Sequence, residues 1–311
     1  MRSLLLTLSC LLPSLALADS PLPDEPVVET VAEGFRFTEG PAVAPDGSIW
    51  FTDIPNNAIH RFDPQSGETT QVTDDSGGAN GLMFFSEPSP WGSSLLVCED
   101  RVRRRVVLMQ ARPDVPGGLF VQAFVPGHFN GPNDLVILEG KPGCFFFTDP
   151  LYGQRENPVG VEAVYRVSLG VMKLSSPGQL GSEAIITDLV RPNGIGLSPD
   201  QRTLYVADNG AKKLYAYPLD EDGQLVGEGV LFHDVNDLGG PDGMTVDEAG
   251  NVYQAIFDGG VVVISPEGER LGYVETGPRT SNAAITPDQR TLYITADGNL
   301  KRIALTLGDE E

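Results

Sequence analysis

Short apolar runs separated by turn-forming segments dominate the chain, and no long segment repeats apolar residues every three or four positions. Several runs alternate apolar with polar residues, which is typical of strands. The turn-forming segments are Pro-Asp-Gly at 45–47, Pro-Gln-Ser-Gly at 64–67, Pro-Asp at 199–200, Glu-Asp-Gly at 221–223, Pro-Glu-Gly at 266–268 and Pro-Asp at 287–288. The pattern therefore predicts an all-β protein whose strands are joined by tight turns.

One unit recurs six times along this pattern. Each unit opens with a small polar segment, continues through an apolar strand and a turn, and closes with an apolar strand that ends in a polar residue. The first polar residues of the six openings are Glu39, Asn80, Asn133, Asn193, Asp242 and Asn282. Successive openings are 40 to 60 residues apart, which is the length of a propeller blade with insertions in the middle blades. We therefore predict a six-bladed β-propeller.

The two ends of the chain predict how the ring closes. After the sixth opening, residues 291–296 and 299–307 supply two further strands. Residues 27–37 precede the first opening and are rich in valine and phenylalanine, so we expect them to form the missing outer strand of the last blade. This arrangement removes two exposed sheet edges. We expect a single domain over residues 19–311, although a length of 311 residues alone would suggest about two domains.

The first 18 residues have the features of a signal peptide. Arg2 is followed by an apolar run that ends in Ala-Leu-Ala at 16–18, the arrangement that signal peptidase requires. The run is too short, and at Pro13 too interrupted, to span a membrane stably. We therefore expect an exported protein, periplasmic or secreted. Export permits a disulfide between Cys98 and Cys144, but both lie in apolar runs where buried free thiols are at least as expected.

The charge balance limits the expected partners. The chain has 21 Lys and Arg against 43 Asp and Glu, a net charge of −22. Such a surface repels phosphate backbones and anionic lipids, so we expect neither nucleic acid nor a membrane as partner. The sequence contains no G-x-S-x-G, no H-E-x-x-H and no phosphate-binding glycine loop, which removes the main support for serine-hydrolase, zinc-protease and nucleotide-dependent chemistry. A closed ring is expected to be a monomer.

The six opening residues occupy homologous positions, so they should surround the central channel of the propeller at one depth. Carboxylates and amides that converge there are costly to bury unless they are paired. A hard cation removes that cost, and calcium favours carboxylate and Asn carbonyl oxygens. The ring contains no His or Cys, which argues against a dedicated zinc site, although another divalent cation such as Zn²⁺, Mg²⁺ or Mn²⁺ is an alternative. A second interpretation is that the Asn-Gly and Asp-Gly pairs form turns at the strand entries.

Several motifs, in their order along the chain, resemble one known family. They are Phe-Thr-Glu-Gly-Pro at 37–41, Pro-Asn-Asp-Leu at 132–135, Phe-Thr-Asp-Pro at 147–150, Arg-Pro-Asn-Gly at 191–194 with Ser-Pro-Asp at 198–200, and Gly-Pro-Asp-Gly-Met at 240–244. Over about residues 35–305 the chain is similar to the gluconolactonase, senescence-marker-protein and luciferin-regenerating-enzyme-like family. This resemblance implies a six-bladed propeller with a divalent cation, usually calcium, in its channel, and hydrolysis of lactones.

The resemblance also implies roles for individual ring residues. The metal ligands of the family fall on Glu39, Asn193 and Asp242, and Asn133 matches a fourth residue at or beside the metal. Asp242 also matches the residue that usually acts as the general base in this family.

Four further residues are candidates for substrate binding. Asn80 and Asn282 have weaker parallels in the family, and we expect them in the pocket wall or behind the ligands. His128 lies on the segment that leads to Asn133, and Tyr152 follows the Thr-Asp-Pro motif at 148–150, so both are candidate rim residues. Alternatively, His128 and Tyr152 only pack or form hydrogen bonds within their loops.

Other features have simpler expected roles. The chain has Asp100 where the family often has His, and residues 286–288 replace a common Gly-Gly pair, which leaves the substrate open. The repeated Asp53, Asp149 and Asp208 are expected to fix turns within the blades. Local pairing with acidic neighbours is the expected role of the basic cluster Arg101, Arg103, Arg104 and Arg105.

The functional hypothesis is a metal-dependent hydrolase that opens a lactone, including a sugar lactone such as gluconolactone. A cation in the ring would polarise the lactone carbonyl, while Asp242 either takes a proton from water or acts as the nucleophile. Two alternatives stay open. One is hydrolysis or isomerisation of another ester, organophosphate or lactone-related metabolite with the same metal. The other is a non-catalytic, ligand-binding propeller with a structural calcium.

Overall fold

The computed structural model describes residues 20–85, 94–111, 119–125, 127–141, 143–153, 159–168 and 181–306, without the side chains of residue 111 and residues 119–124. These residues form 24 strands and one short 3-10 helix. The predicted signal peptide at 1–18 lies outside them. No helix in the described ranges is long and apolar enough to cross a lipid bilayer.

The strands follow the chain blade by blade. After β1 (Glu29–Glu33), the first blade contains β2 (Thr38–Val43), β3 (Ile49–Asp53), β4 (Ala58–Phe62) and β5 (Thr69–Thr73), with the 3-10 helix Ile54–Asn56 after β3. The second contains β6 (Ala79–Phe84), β7 (Ser94–Glu99), β8 (Arg105–Ala111) and β9 (Leu119–Val125), and the third β10 (Leu135–Ile137), β11 (Phe145–Asp149), β12 (Ala163–Ser168) and β13 (Gly181–Ile186). The fourth contains β14 (Pro192–Leu197), β15 (Thr203–Asp208), β16 (Lys213–Pro218) and β17 (Val230–Asp234). The fifth contains β18 (Pro241–Val246), β19 (Val252–Ile256), β20 (Gly260–Ile264) and β21 (Arg270–Glu275), and the sixth β22 (Thr280–Ile285), β23 (Thr291–Ala296) and β24 (Asn299–Ala304).

Each blade is a four-stranded antiparallel sheet, and the sixth blade joins the two ends of the described chain. Its strand order is β1-β24-β23-β22, whereas the other five sheets use four consecutive strands. In the closing pair, Glu33 lies opposite Asn299 and Glu29 opposite Arg302. The prediction of an all-β, six-bladed β-propeller closed by an N-terminal strand is therefore confirmed.

The six inner strands surround the central channel. Contacts run from β2 to β6, β6 to β10, β10 to β14, β14 to β18, β18 to β22 and β22 to β2. Gly40 and Gly194 explain why a small residue follows the ring residue in the openings. A side-chain carbon at Gly40 would collide with the Asn80 carbonyl of the next blade, and one at Gly194 would collide with the Asp242 carbonyl. Glycine therefore lets the inner strands approach closely enough to bring the ring residues together.

Apolar side chains fill the spaces between neighbouring blades. Six hydrophobic clusters are found among the described residues, and each combines side chains from two adjacent sheets. Between the first two blades, for example, Trp50 packs edge-on against Phe84 with ring centroids 5.4 Å apart. Because these clusters follow one another round the whole ring, the blades form one continuous core.

The two described cysteines are free thiols. Cys98 and Cys144 are both buried, and they belong to different inter-blade clusters. The structure thus favours buried free thiols over the disulfide that export would permit.

Candidate metal centre and catalytic cleft

One mouth of the channel opens into a cleft of about 900 Å³. Five of the six predicted ring residues line this cleft: Glu39, Asn80, Asn133, Asn193 and Asp242. They come from five different blades, and all are at least nine-tenths buried. The repeat in the sequence therefore assembles five oxygen-bearing side chains at one place.

Irregular strand pairing aims these side chains. Glu39, Asn80, Asn193 and Asp242 are the second residues of β2, β6, β14 and β18, and each lies at or within a shift in pairing register. A bulge of this kind bends a strand locally and redirects its side chains. The alternative prediction that such residues form turns is wrong for these four, since they lie inside strands. Asn133 lies just before β10, where its N–H donates to the Thr148 carbonyl at 2.9 Å.

The repeated aspartates hold the segments that lead into the inner strands. The Asp53 carboxylate accepts the backbone N–H groups of Arg36 and Phe37 at 3.1 and 3.2 Å. The Asp149 carboxylate accepts those of Asn130 and Gly131 at 2.9 and 2.7 Å. Asp208 accepts the N–H groups of Val190 and Ala211 in the same way. The predicted role in turns within a blade holds for the bond from Ala211 to Asp208. The other bonds instead fix the segments between blades, two or three residues before Glu39, Asn133 and Asn193.

Glu39 and Asp242 are carboxylates in a site that opposes their charge. Burial raises the pKa of Glu39 well above its ordinary value, and the nearby charges of Asp242 and Asp134 raise it further. Burial also raises the pKa of Asp242 well above its ordinary value, with Asp134 as the second cause. The chain supplies no described cationic side chain within this ring to offset the cost. A bound cation would stabilise both carboxylates in their ionised form and so lower their pKa values.

Three amide oxygens in the ring have no hydrogen-bond partner. They are Oδ1 of Asn80, Asn133 and Asn193, and all three are buried. Buried polar atoms are normally paired, so a set of three converging orphans indicates a missing partner. The Asn193 Nδ2 donates to the Tyr152 hydroxyl at 2.7 Å, and Oδ1 is the end of this amide that lacks a partner.

The donor set fits a hard divalent cation. It consists of two carboxylates and three amide oxygens, and in the described part of the chain there is no cluster of three or more His, Cys, Asp and Glu side chains arranged for a metal. Oxygen ligands without nitrogen or sulfur suit calcium or magnesium better than zinc. The residues present therefore fit the expected cation, and they would hold it through Glu39, Asp242 and the free amide oxygens.

Asp134 is a site residue that the sequence reasoning missed. It is buried at the floor of the ring, and burial raises its pKa to about 7. Asn282 Nδ2 donates to both carboxylate oxygens of Asp134, at 2.9 and 3.1 Å, and lies 3.4 Å from a Glu39 oxygen. Asn282 is absent from the cleft wall and lines a separate pocket at the other end of the channel. It supports the ligands from behind, and the expectation that it contacts substrate from the cleft gains no support.

His128 and Tyr152 differ in where they lie. Tyr152 lines the cleft beside Asn193. Burial raises the pKa of the Tyr152 hydroxyl, with the Asp242 charge as the second cause, so this group stays protonated. His128 is exposed, lies 3.5 Å from an Arg104 nitrogen and is not part of the cleft wall. The structure therefore brings Tyr152 to the site but not His128.

The rim of the cleft carries charged residues from several blades. Of the predicted basic cluster, Arg103 and Arg105 bind the buried Glu99, as expected for local pairing, whereas Arg101 lines the cleft beside Asp100. Three further cations line the cleft and were not predicted: Arg191, Lys212 and Arg279. Lys212 and Arg279 lie in turns outside the quoted motifs, so those motifs could not reveal them. Arg191 is the first residue of the Arg-Pro-Asn-Gly motif at 191–194, but the motif alone assigned it no role.

Comparisons with known proteins agree with this architecture. The model of the SMP-30/Gluconolactonase/LRE-like region matches residues 37–298. A gluconolactonase of Zymomonas mobilis is 29% identical over 306 residues, covering 89% of this chain and 80% of the relative. The pentonolactonase XacC of Haloferax volcanii is 29% identical over 279 residues, covering 88% of this chain and 85% of the relative.

Solved structures show the same relationship. A gluconolactonase from Xanthomonas campestris superposes with a TM-score of 0.76 at 25% identity, covering 92% of this chain and 91% of that chain. The matched region contains the ring residues that line the cleft. The chain therefore belongs to the SMP-30/gluconolactonase/LRE-like family.

Proposed function

We propose that this protein is a divalent-metal-dependent lactonase, with calcium as the metal, that opens sugar lactones to hydroxycarboxylic acids. The observation that carries the proposal is the ring itself. Two buried carboxylates whose ionisation is opposed, Glu39 and Asp242, lie in one cleft with three buried amide oxygens that lack partners. A cation satisfies all five groups at once.

The bound cation would supply Lewis-acid polarisation of the substrate carbonyl. The side chains of the ring perform the remaining tasks. Asp242 is the carboxylate of the ring that acts on water as general base, or on the lactone carbonyl as nucleophile. Tyr152 restrains the Asn193 side chain through the 2.7 Å hydrogen bond. Asn282 bonds Asp134 and approaches Glu39, which keeps the floor of the ring in place.

Sugar lactones are proposed as substrates because the full-length relatives are named gluconolactonase and pentonolactonase. The cleft is consistent with this class. Its volume of about 900 Å³ accommodates a single sugar ring, and charged and amide side chains that can bond hydroxyl groups line its wall.

The test is a hydrolysis screen that follows acid release with a pH indicator. The panel contains glucono-1,5-lactone, pentonolactones, aromatic lactones and simple esters, each with calcium and with EDTA. Asp242→Asn is compared with Glu248→Gln, an exposed carboxylate outside the cleft. The proposal predicts calcium-dependent turnover of aldonolactones that Asp242→Asn abolishes and Glu248→Gln retains. A protein that binds calcium but hydrolyses none of the panel would instead be an isomerase or a ligand-binding propeller.

We further propose that the protein is exported to the periplasm or beyond. The support is the N-terminal sequence, with its single positive charge, apolar run and Ala-Leu-Ala exit at 16–18. Mass spectrometry of the native protein should find a chain that begins at Asp19. An intact chain in the cytoplasm that begins at Met1 would contradict the proposal.

A further inference from the structure

The cleft is unlike the rest of this acidic chain in its charge. The protein has a net charge of −22, with 21 Lys and Arg in total. Four of these cations line the one cleft, where four carboxylates balance them. The cationic residues are Arg101, Arg191, Lys212 and Arg279. With a divalent cation in the ring the cleft would carry net positive charge, in contrast to the surrounding surface.

Two of the four cations are already engaged. A nitrogen of Arg101 lies 3.7 Å from the carboxylate of Asp100. Arg279 binds Asp297 at 2.8 Å and stacks over the Phe37 ring at 4.6 Å. Arg191 and Lys212, in contrast, form no ion pair with any residue that the structure describes. Two cations on one cleft wall are therefore free to bind a ligand.

Arg191 and Lys212 belong to neighbouring segments of the fourth blade. The N–H of Asn209 donates to the Arg191 carbonyl at 3.2 Å, and that of Gly210 donates to the Val190 carbonyl at 2.9 Å. Both cations have a left-handed backbone, with φ of 56° at Arg191 and 55° at Lys212. The paired backbone and the unusual conformation fix where the two side chains start.

This wall adjoins the metal ring. The Arg191 guanidinium lies 6.0 Å from the centre of the Tyr152 ring, and the Tyr152 hydroxyl accepts the hydrogen bond of Asn193. The Glu162 carboxylate also lies beside this wall, and its two oxygens accept the backbone N–H groups of Leu151 and Arg191. Both oxygens of Glu162 are thus engaged by backbone N–H groups, and the Arg191 side chain lines the cleft beside the ring.

We propose that Arg191 and Lys212 form a subsite for an anionic substituent of the lactone, namely a carboxylate, sulfonate or phosphate on the part of the sugar that is not in the reacting ester. The inference rests on the proposed lactonase function and specifies its substrate class. Arginine binds pairs of oxygens on carboxylate, sulfonate or phosphate groups through two parallel N–H bonds, and lysine adds a compact charge. The reacting carbonyl would lie over the ring while the anion lies on the fourth-blade wall.

Two matched substrate pairs test this subsite. D-Glucaro-1,4-lactone differs from D-glucono-1,4-lactone in carrying a carboxylate in place of a hydroxymethyl group, and 6-phosphoglucono-1,5-lactone differs from glucono-1,5-lactone in its phosphate. For each pair the ratio of kcat/KM, anionic to neutral, is measured in the native protein and in Arg191→Gln/Lys212→Gln. Lys213→Gln is the charge control, because Lys213 adjoins Lys212 in sequence but lies outside the cleft wall.

We expect the double variant to lower the ratio at least ~10-fold for one pair, which also identifies the anion, while Lys213→Gln changes it less than ~3-fold. The single variants Arg191→Gln and Lys212→Gln replace the double variant if it does not fold. Calorimetric titration with D-glucarate and D-gluconate measures the same preference without turnover.

The outcomes separate the two proposals. An unchanged ratio in an active double variant, or an equal loss in Lys213→Gln, overturns the subsite and leaves the lactonase proposal intact. Turnover of no lactone, together with glucarate binding that depends on Arg191, overturns the lactonase proposal and supports the subsite. Neither turnover nor glucarate binding overturns both.

Discussion

The side-chain nitrogen of Asn193 donates a hydrogen bond to the Tyr152 hydroxyl at 2.7 Å, and this bond restrains the Asn193 side chain at the wall of the cleft. The Asn193 oxygen is left buried and without a partner, as are the amide oxygens of Asn80 and Asn133. Tyr152 therefore supports the metal ligand Asn193 without itself binding the metal. Residues that orient ligands in this way typically contribute 10- to 100-fold to metal affinity.

Replacing Tyr152 with Phe should weaken calcium binding about 10-fold, because the Asn193 side chain then loses the hydrogen bond that restrains it. Calorimetric titration of EDTA-treated protein measures the change. Tyr273→Phe, at an exposed tyrosine on β21, is the matched control and should leave the affinity unchanged. Equal affinities in Tyr152→Phe and the native protein would show that the bond does not support metal binding.

Replacing Glu39 with Gln should have opposite effects with and without metal. In the metal-free protein the variant removes a buried charge that burial, Asp242 and Asp134 all oppose, so its Tm should equal or exceed that of the native protein. With excess calcium the native protein should gain several degrees and the variant much less, because a ligand is lost. Thermal unfolding with EDTA and with calcium gives both values. A variant that is less stable in both conditions would point to a purely structural role for Glu39.

Replacing Asp53 with Ala should destabilise the first blade by about 3 kcal/mol, because the backbone N–H groups of Arg36 and Phe37 lose a charged acceptor in a buried site. Urea unfolding measures the change in free energy. Asp63→Ala also removes a carboxylate that accepts backbone N–H groups, but in an exposed turn, and should cost about 1 kcal/mol or less. Similar costs at both positions would remove the special role assigned to the repeated aspartates.

The stability of the first blade should also depend on pH through His60, which stacks on Phe51 at 5.5 Å and contacts Phe35 at 4.7 Å. Burial lowers its pKa below the ordinary 6.5, with Asp53 opposing the shift in part. The neutral form therefore stabilises the fold above pH 6.5, and this stability is lost as the pH falls through the lowered pKa of the folded state.

His60→Phe removes this titration and keeps the aromatic stack. In EDTA, the native protein should lose more stability than His60→Phe between pH 8 and pH 5, because only the native protein must accept a proton at this position. Denaturant unfolding at the two pH values measures the difference. Parallel losses in the two proteins would contradict the assignment.

The fold and most of the ring were predictable because both follow from one repeated pattern. A unit that recurs six times places Glu39, Asn80, Asn133, Asn193 and Asp242 at equivalent positions, and equivalent positions in a closed ring must meet. The repeat also distinguishes Asp134 from the equivalent residues of the other blades. Four openings place glycine after the ring residue, whereas the third places Asp134 there, so its carboxylate enters the channel where the others have only backbone.

Residues outside the repeat could not be predicted in this way. Arg191 and Lys212 reach the cleft from turns. The left-handed backbone of Lys212 recurs at Asn57 in the first blade, where the side chain is neutral, so the turn conformation does not predict a cation. His128 lies on a connecting segment and is exposed. Asn282 is the instructive exception within the repeat. It occupies the sixth equivalent position, yet it is the third residue of β22 rather than the second, and its amide lies behind the ring on Asp134.

The most direct test of the central claim is a calcium titration of lactone hydrolysis in EDTA-treated protein, followed together with bound metal by elemental analysis. We predict that hydrolysis of glucono-1,5-lactone returns in proportion to one bound ion per chain, and that Asp242→Asn neither retains that ion nor recovers activity. Full hydrolysis by metal-free protein, or an ion that Asp242→Asn retains with unchanged affinity, would contradict the account of the ring as a catalytic metal centre.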